Sequence, residues 1–123
     1  MDIYREEILE HYRNPHNFGT LSGADVVAED SNPLCGDSLT LFLKFSGKGS
    51  ERTVKDVSFT GVGCVLSQAS ASLLTDLIKG KKLEEVKAIK KENLIEMIGA
   101  EVAPARLKCV LLSLETLRKA LTS

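Results

Sequence analysis

The 123-residue sequence suits one domain, residues 1–123, with a modest core that needs no disulfide framework. Its 43% hydrophobic and 27% charged residues are those of an ordinary globular protein, and no apolar run is long enough to cross a bilayer. The 16 basic and 17 acidic side chains leave a formal net charge of −1, which gives no electrostatic reason to expect nucleic acid or an anionic membrane as partner, and aromatic residues are too few for the stacking platforms of single-strand binders.

The first residues, Met-Asp-Ile-Tyr-Arg-Glu-Glu, are charged and lack the apolar stretch of a secretory signal, so a cytoplasmic setting with reduced thiols is expected. Asp2 can cap a first helix running to about Arg13, with Ile3, Ile8, Leu9 and Tyr12 as its apolar positions. Asn14-Pro15 ends it, and a loop follows to Gly19. Residues 24–30 read as a short strand. Leu39, Leu41, Leu43 and Phe45 then alternate with Thr40, Phe42 and Lys44, the period of a strand with one buried face. Turn chemistry over residues 46–50 predicts a hairpin, with residues 52–60 as the returning strand. Val57 and Phe59 share a face of that strand, Val54 is out of phase with them and signals a bulge, and Gly61-Val62-Gly63 ends the strand.

From Val65 the period becomes helical, with Leu66, Ala69, Leu73, Leu74, Leu77 and Ile78 leading to a stop at Gly80. Residues 83–98 hold one or two short helices stopped by Gly99. Pro104 suits the first turn of a last helix with the stripe Leu107, Val110, Leu111, Leu114, Leu117 and Leu121. The lysine groups at 79–82 and 87–91 read as solvated helix ends. Strands followed by helices predict an α+β fold with helices on one face of a small antiparallel sheet.

Three cysteines make an odd count, which argues against a closed disulfide set and leaves metal binding, catalysis or plain core packing. Cys35 lies in the loop Asn32-Pro33-Leu34-Cys35-Gly36-Asp37, where the intervening glycine lets a thiol and a carboxylate turn toward one ion. Asp37 alone fits a turn or a cap equally well. Cys64 follows Gly61-Val62-Gly63 and precedes the helical period. Helix N-termini favour negative charge, and thiolate is the form that binds metal, while the glycines let another group approach the backbone. Helical projection sets Cys109 roughly 130° and Cys64 roughly 140° from the apolar stripes of their helices, which speaks against core filling. The cysteines are separated by 29 and 45 residues, so no local zinc-finger spacing applies and only the fold could gather them.

At these residues the chain resembles the iron–sulfur cluster assembly scaffold family of the IscU, SufU and NifU N-terminal type. The resemblance covers nearly the whole sequence. It rests on His11-Tyr12-Arg13-Asn14-Pro15-His16-Asn17-Phe18-Gly19, on the Cys35 and Cys64 segments quoted above, on Ser67, Ser70 and Ser72, on Lys79-Gly80-Lys81, and on Pro104-Ala105-Arg106-Leu107-Lys108-Cys109. It implies a three-stranded antiparallel sheet with packed helices, and convergence of Cys35, Asp37, Cys64 and Cys109 at one exposed end. It also implies sulfur received from a cysteine desulfurase, a [2Fe–2S] cluster or zinc at those residues, and apo iron–sulfur proteins as acceptors.

Lys108 stands where the IscU branch has a histidine, and its ammonium cannot ligate a metal. That feature resembles the SufU branch, in which zinc binding and sulfur acceptance are the expected roles. The insertion SufU-type chains carry before the last helix has no room in residues 83–103. Val102-Ala103-Pro104-Ala105-Arg106 departs from the Leu-Pro-Pro-Val-Lys motif offered to an Hsp70-type chaperone, which weighs against that partner. Three thiolates and a carboxylate carry four negative charges, of which Zn²⁺ cancels two, and Arg106 and Lys108 are expected to offset part of the remainder. Cys35, on a loop between Pro33 and Gly36, is the expected first persulfide acceptor. Two roles follow, a scaffold that builds and donates a cluster and a zinc-dependent sulfurtransferase. A zinc domain devoted only to protein contact is the third alternative.

Overall fold

The alternation over residues 39–45 builds the centre of the molecule. In the computed structural model, which describes residues 3–32, 36–98 and 102–122, it forms the middle strand of a three-stranded antiparallel sheet. This strand, β2 (Asp37–Ser46), pairs with β1 (Val26–Asn32) on one side and β3 (Thr53–Val62) on the other. Leu39, Leu41 and Leu43 are buried on the face that receives the helices, while Thr40 and Phe42 are half-buried on the opposite face. The expected bulge is present: Lys44 pairs with Asp56 and Phe45 with Val54, so Lys55 is the extra residue and Val54 is buried with Val57 and Phe59. Contrary to expectation, Gly61 and Val62 stay in the strand, because Gly61 pairs with Leu39 and Val62 with Ser38.

The outer edge of β3 is covered in two places. Phe59 donates its N–H to the Asn17 carbonyl and accepts from the Gly19 N–H, with the Phe18 ring set edge-on to the Phe59 ring. Nearer the strand's start, Thr53 bridges to Lys82, and the Leu83 N–H bonds the Arg52 carbonyl.

The helices α1 (Ile3–Arg13), α2 (Val65–Ile78), α3 (Leu83–Lys87), α4 (Lys91–Ile98) and α5 (Leu107–Leu121) follow the expected order, with one 3-10 turn at Pro104–Arg106 leading into α5. The expected Asp2 cap and Gly99 stop lie outside the described residues. Gly80 takes a left-handed φ of +83° just after α2, where its N–H bonds the Val54 carbonyl at 2.7 Å. Beside it Lys79 pairs with Asp56 at 3.4 Å and Lys82 with Glu51 at 3.6 Å, so these lysines partly tie the turn to the sheet. No helix among the described residues is long and apolar enough to cross a membrane.

α2 and α5 lie on the sheet and on each other, and α1 closes over α2. Flanked this way, α2 is buried around most of its circumference, including Ser67, Ser70, Ser72 and Thr75. Small side chains at 69–72 let the neighbouring elements approach it. The Thr75 hydroxyl returns its hydrogen bond to the α2 backbone, at the Ala71 and Ser72 carbonyls.

α1 is rotated from its expected orientation. Tyr12 is exposed, and His11 beside it is buried against α2, with Nδ1 2.7 Å from the Ser72 hydroxyl. Burial lowers the His11 imidazole below its ordinary 6.5 and the neighbouring His16 adds to this, against the opposite pull of Asp76, Glu7 and Glu10. The unfolded chain therefore takes up a proton near pH 6.5 that the folded chain resists. This contribution to stability is complete above that pH and is lost as pH falls through 6.5 toward the lower folded value. The melting temperature is expected to drop on moving from about pH 7.5 to about pH 5.5, and less so in His11→Gln. Calorimetry of both proteins at the two pH values checks it; equal slopes would remove His11 from the account.

Candidate metal centre

Three elements deliver one ligand atom each to the same place. Asp37 opens β2, Cys64 is the residue immediately before α2, and Cys109 lies in the first turn of α5. An Asp37 carboxylate oxygen and the Cys64 and Cys109 sulfurs all lie within 4.8 Å of one another. With Zn–S bonds of about 2.3 Å, tetrahedral geometry sets two sulfurs about 3.8 Å apart, so a single ion fits with small adjustments.

Asp37 is held firmly. Its Oδ1 accepts the Cys64 backbone N–H at 3.1 Å, doing for the start of α2 what a capping side chain would do, since the Cys64 side chain makes no such bond. Its Oδ2 is buried and has no hydrogen-bond partner among the described residues. A buried carboxylate oxygen left without a donor costs free energy, and a cation beside it removes that cost. A buried carboxylate with one oxygen unpartnered among the described residues, in a side chain that reaches within 4.8 Å of two sulfurs, is the observation that fits the residues to a metal.

Gly63 makes the close approach possible. A Cβ there would stand 2.6 Å from Asp37 Oδ1 and 2.3 Å from the Ser67 hydroxyl. Ser67 Oγ in turn donates to the Cys64 carbonyl at 3.0 Å and steadies the turn that carries the thiol. Glycine before Cys64 was legible as a close-approach position in the sequence; Ser67 as its support was not, because a serine one turn into a helix gives no distinct signal.

One expectation is corrected and another is met in part. Cys109 is fully buried, although projection placed it off the core face. The projection counted only the leucine-rich stripe. In the fold α5 packs against β1, β2, α2 and α4, and Cys109, Ser113 and Thr116 are buried as well. Among the described donors the expected exposed end is met at Cys64 alone, which is partly open, while Asp37 and Cys109 are 2% and 0% exposed.

Cys35 lies outside the described residues; Gly36 after it has a left-handed φ of +70°. Arg106 and Lys108 are both exposed. Lys108 lines a groove between α5 and the end of β1 that it shares with two carboxylates, Asp30 and Glu115. The structure thus brings together Asp37, Cys64 and Cys109, and leaves Arg106 and Lys108 at the surface.

Residues 3–123 match the family model for the NifU-like N-terminal domain. The zinc-dependent sulfurtransferase SufU of Bacillus subtilis is 35% identical over 134 residues, covering 95% of this chain and 88% of its own. The iron–sulfur cluster assembly scaffold protein IscU of Thermotoga maritima is 36% identical over 135 residues, covering 97% and 92%. Among solved structures, a candidate cluster assembly scaffold protein for the SUF system from Fervidobacterium islandicum AW-1 is 30% identical, covers 94% of each chain and superposes with a TM-score of 0.71.

Proposed function

The chain belongs to the NifU-like N-terminal domain family, and from that premise we propose that it is an iron–sulfur cluster assembly scaffold. The observation that carries this is the convergence of Asp37, Cys64 and Cys109, with one buried oxygen of the Asp37 carboxylate left without a hydrogen-bond partner among the described residues. In this reading Cys35 supplies the fourth ligand, and the cluster is cargo held by these residues before donation to apo iron–sulfur proteins. Arg106 and Lys108 offset part of the negative charge of the donors from the surface.

Cys35 also takes up the sulfur. Its thiolate attacks the terminal sulfur of the desulfurase persulfide; a new S–S bond forms on Cys35, and the desulfurase cysteine leaves as thiolate. The sequence sets Cys35 between Pro33 and a glycine that takes a left-handed φ, a setting that supports reach into a partner's active site, whereas the buried Cys109 cannot reach out. Cysteine desulfurase and acceptor proteins are the partners of this cycle, set in the cytoplasm, and the residues at 102–106 argue against an Hsp70-type chaperone among them.

Asp37 sets the lifetime of the cargo. A carboxylate oxygen on iron exchanges more readily than a thiolate, so Asp37→Ala is expected to lengthen the half-life of the bound cluster. The decay of visible absorbance in the presence of chelator measures it; faster decay in the variant would show that Asp37 holds the cluster and does not loosen it.

A zinc-dependent sulfurtransferase is the second reading. Two observations favour it: Lys108 in place of a ligating histidine, and the compactness of the triad, which suits one ion better than two irons each needing its own ligands. Anaerobic reconstitution with a cysteine desulfurase, cysteine and Fe²⁺, with and without Zn²⁺, separates the two. Cluster bands that transfer to an apo-ferredoxin support the scaffold. Retained zinc, no cluster and faster desulfurase turnover support the sulfurtransferase.

A further inference from the structure

Both histidines of the chain meet at the opposite end of α2 from the cysteines. His11 lies in the last turn of α1, His16 in the loop that follows, and Asp76 near the C-terminal end of α2. One ligand atom from each lies within 4.8 Å of the other two. Asp76 is twelve residues beyond Cys64, which at 1.5 Å per residue puts the two clusters about 18 Å apart along the helix.

His11 and Asp76 are each oriented by a side chain outside the trio, and His16 is held there through its backbone. The Ser72 hydroxyl contacts His11 Nδ1 at 2.7 Å and accepts the His16 backbone N–H at 2.8 Å, leaving Nε2 of the buried His11 ring as its remaining ligand atom. Asp76 Oδ1 accepts from Asn17 Nδ2 at 2.9 Å, and Asp76 Oδ2 contacts His16 Nδ1. Asn17 itself is held in a left-handed conformation, φ +62°, with its amide also donating to the Thr75 hydroxyl at 3.0 Å. Outer hydrogen bonds that fix the rotamer and the free ring nitrogen are the usual support of metal-ligating histidines and carboxylates.

We propose that His11, His16 and Asp76 form a second cation site, specific for a divalent first-row transition ion of the zinc or ferrous type. Two imidazoles and one carboxylate are the donors such ions take, whereas Mg²⁺ and Ca²⁺ require oxygen throughout. Three protein ligands leave coordination positions to water, as in exchangeable sites. A His16–Asp76 ion pair alone accounts for two of the three side chains. It does not account for the His11 ring, buried at 7% exposure and set 4.5 Å from the His16 ring centre. Opening the His16–Asp76 contact to admit an ion needs movement only of two exposed side chains.

The test counts bound ions. The purified protein is stripped with chelator and dialysed anaerobically to equilibrium against Zn²⁺ or Co²⁺, and metal content is measured together with the cobalt–thiolate absorption that reports the cysteine site alone. Wild type is expected to hold one more equivalent than His16→Gln or Asp76→Asn, with the thiolate band unchanged in both variants. Cys64→Ser with Cys109→Ser is expected to lose the band and keep the extra ion. Ser72→Ala is expected to weaken it by about 10–100-fold. Excess Mg²⁺ should not displace it. The exposed His16 can be replaced without disturbing the core, so equal metal content in His16→Gln and wild type would overturn the proposal; displacement by Mg²⁺ would overturn its specificity. Because these readouts need neither cluster nor desulfurase, they stand or fall apart from the assembly role.

Discussion

Replacing Cys109 with serine is expected to abolish tight metal retention while leaving the protein folded. The side chain is fully buried in the first turn of α5, so the change substitutes a slightly smaller, more polar atom at constant shape. Exchanging a buried thiol for a hydroxyl costs about 1–3 kcal/mol, as is usual for a polar change in a core, which shifts the melting point by several degrees without unfolding the chain. The loss of ligand is much more serious. A hydroxyl does not ionise to replace a soft thiolate, and the site falls to one thiolate and Asp37 among the described ligands. The affinity for Zn²⁺ is expected to drop by more than the about 10–100-fold typical of outer-shell groups. Competition with a coloured chelator measures this directly. Zinc also stabilises whatever fold binds it, by about 2.7 kcal/mol at a hundredfold excess over the dissociation constant, so the melting point of wild type should rise with zinc and that of the variant should not. Retention of zinc within tenfold of wild type would remove Cys109 from the centre.

Gly61→Ala and Gly63→Ala differ by two residues and are expected to fail in different ways. At Gly61 the new Cβ would stand 2.5 Å from the Ser38 carbonyl oxygen and 3.3 Å from Leu39 Cα, both backbone atoms of the paired central strand. The strand must shift, at a cost of about 1–3 kcal/mol, as is usual for overpacking. At Gly63 the Cβ meets side-chain atoms, Ser67 Oγ at 2.3 Å and Asp37 Oδ1 at 2.6 Å. Those can rotate away, so the fold survives better, but the rotation carries Asp37 off the Cys64 N–H and out of the donor cluster. Gly63→Ala is therefore expected to lower metal affinity far more than stability, and Gly61→Ala the reverse. Denaturant midpoints and zinc titrations on the pair check this; parallel losses in both would mean that the glycines serve only the turn.

The pattern of the sheet and the order of the helices were legible because each depends on one periodicity. The bulge at Lys55 was legible because Val54 broke phase with Val57 and Phe59. Burial of α2 and α5 was legible only in part. A projection treats serine, threonine and cysteine as facing water, and here Ser70, Ser72, Ser113, Thr116 and Cys109 are all enclosed by flanking elements. The convergence of Asp37, Cys64 and Cys109 could not be read from spacing, since each comes from a different element. It came from the resemblance, and the described residues bring three of the expected donors together. The rotation of α1 that buries His11 and exposes Tyr12 depends on Ser72, sixty-one positions away, and left no local trace.

The two covers on β3 have a consequence for how copies of the chain meet. A sheet edge with unpaired N–H and carbonyl groups invites another strand to add to it. On β3 the stretch at 17–19 and the stretch at 80–82 already take backbone bonds at Phe59 and Val54 and a bridge at Thr53, so no continuous row remains for an incoming strand. The other outer strand is β1, and it carries Glu29 and Asp30 in succession. The Lys119 ammonium also donates to the Glu29 carbonyl at 2.8 Å, so charged side chains of both signs stand where a second strand would dock. Lateral growth of the sheet is thus obstructed by backbone on one flank and by charge on the other.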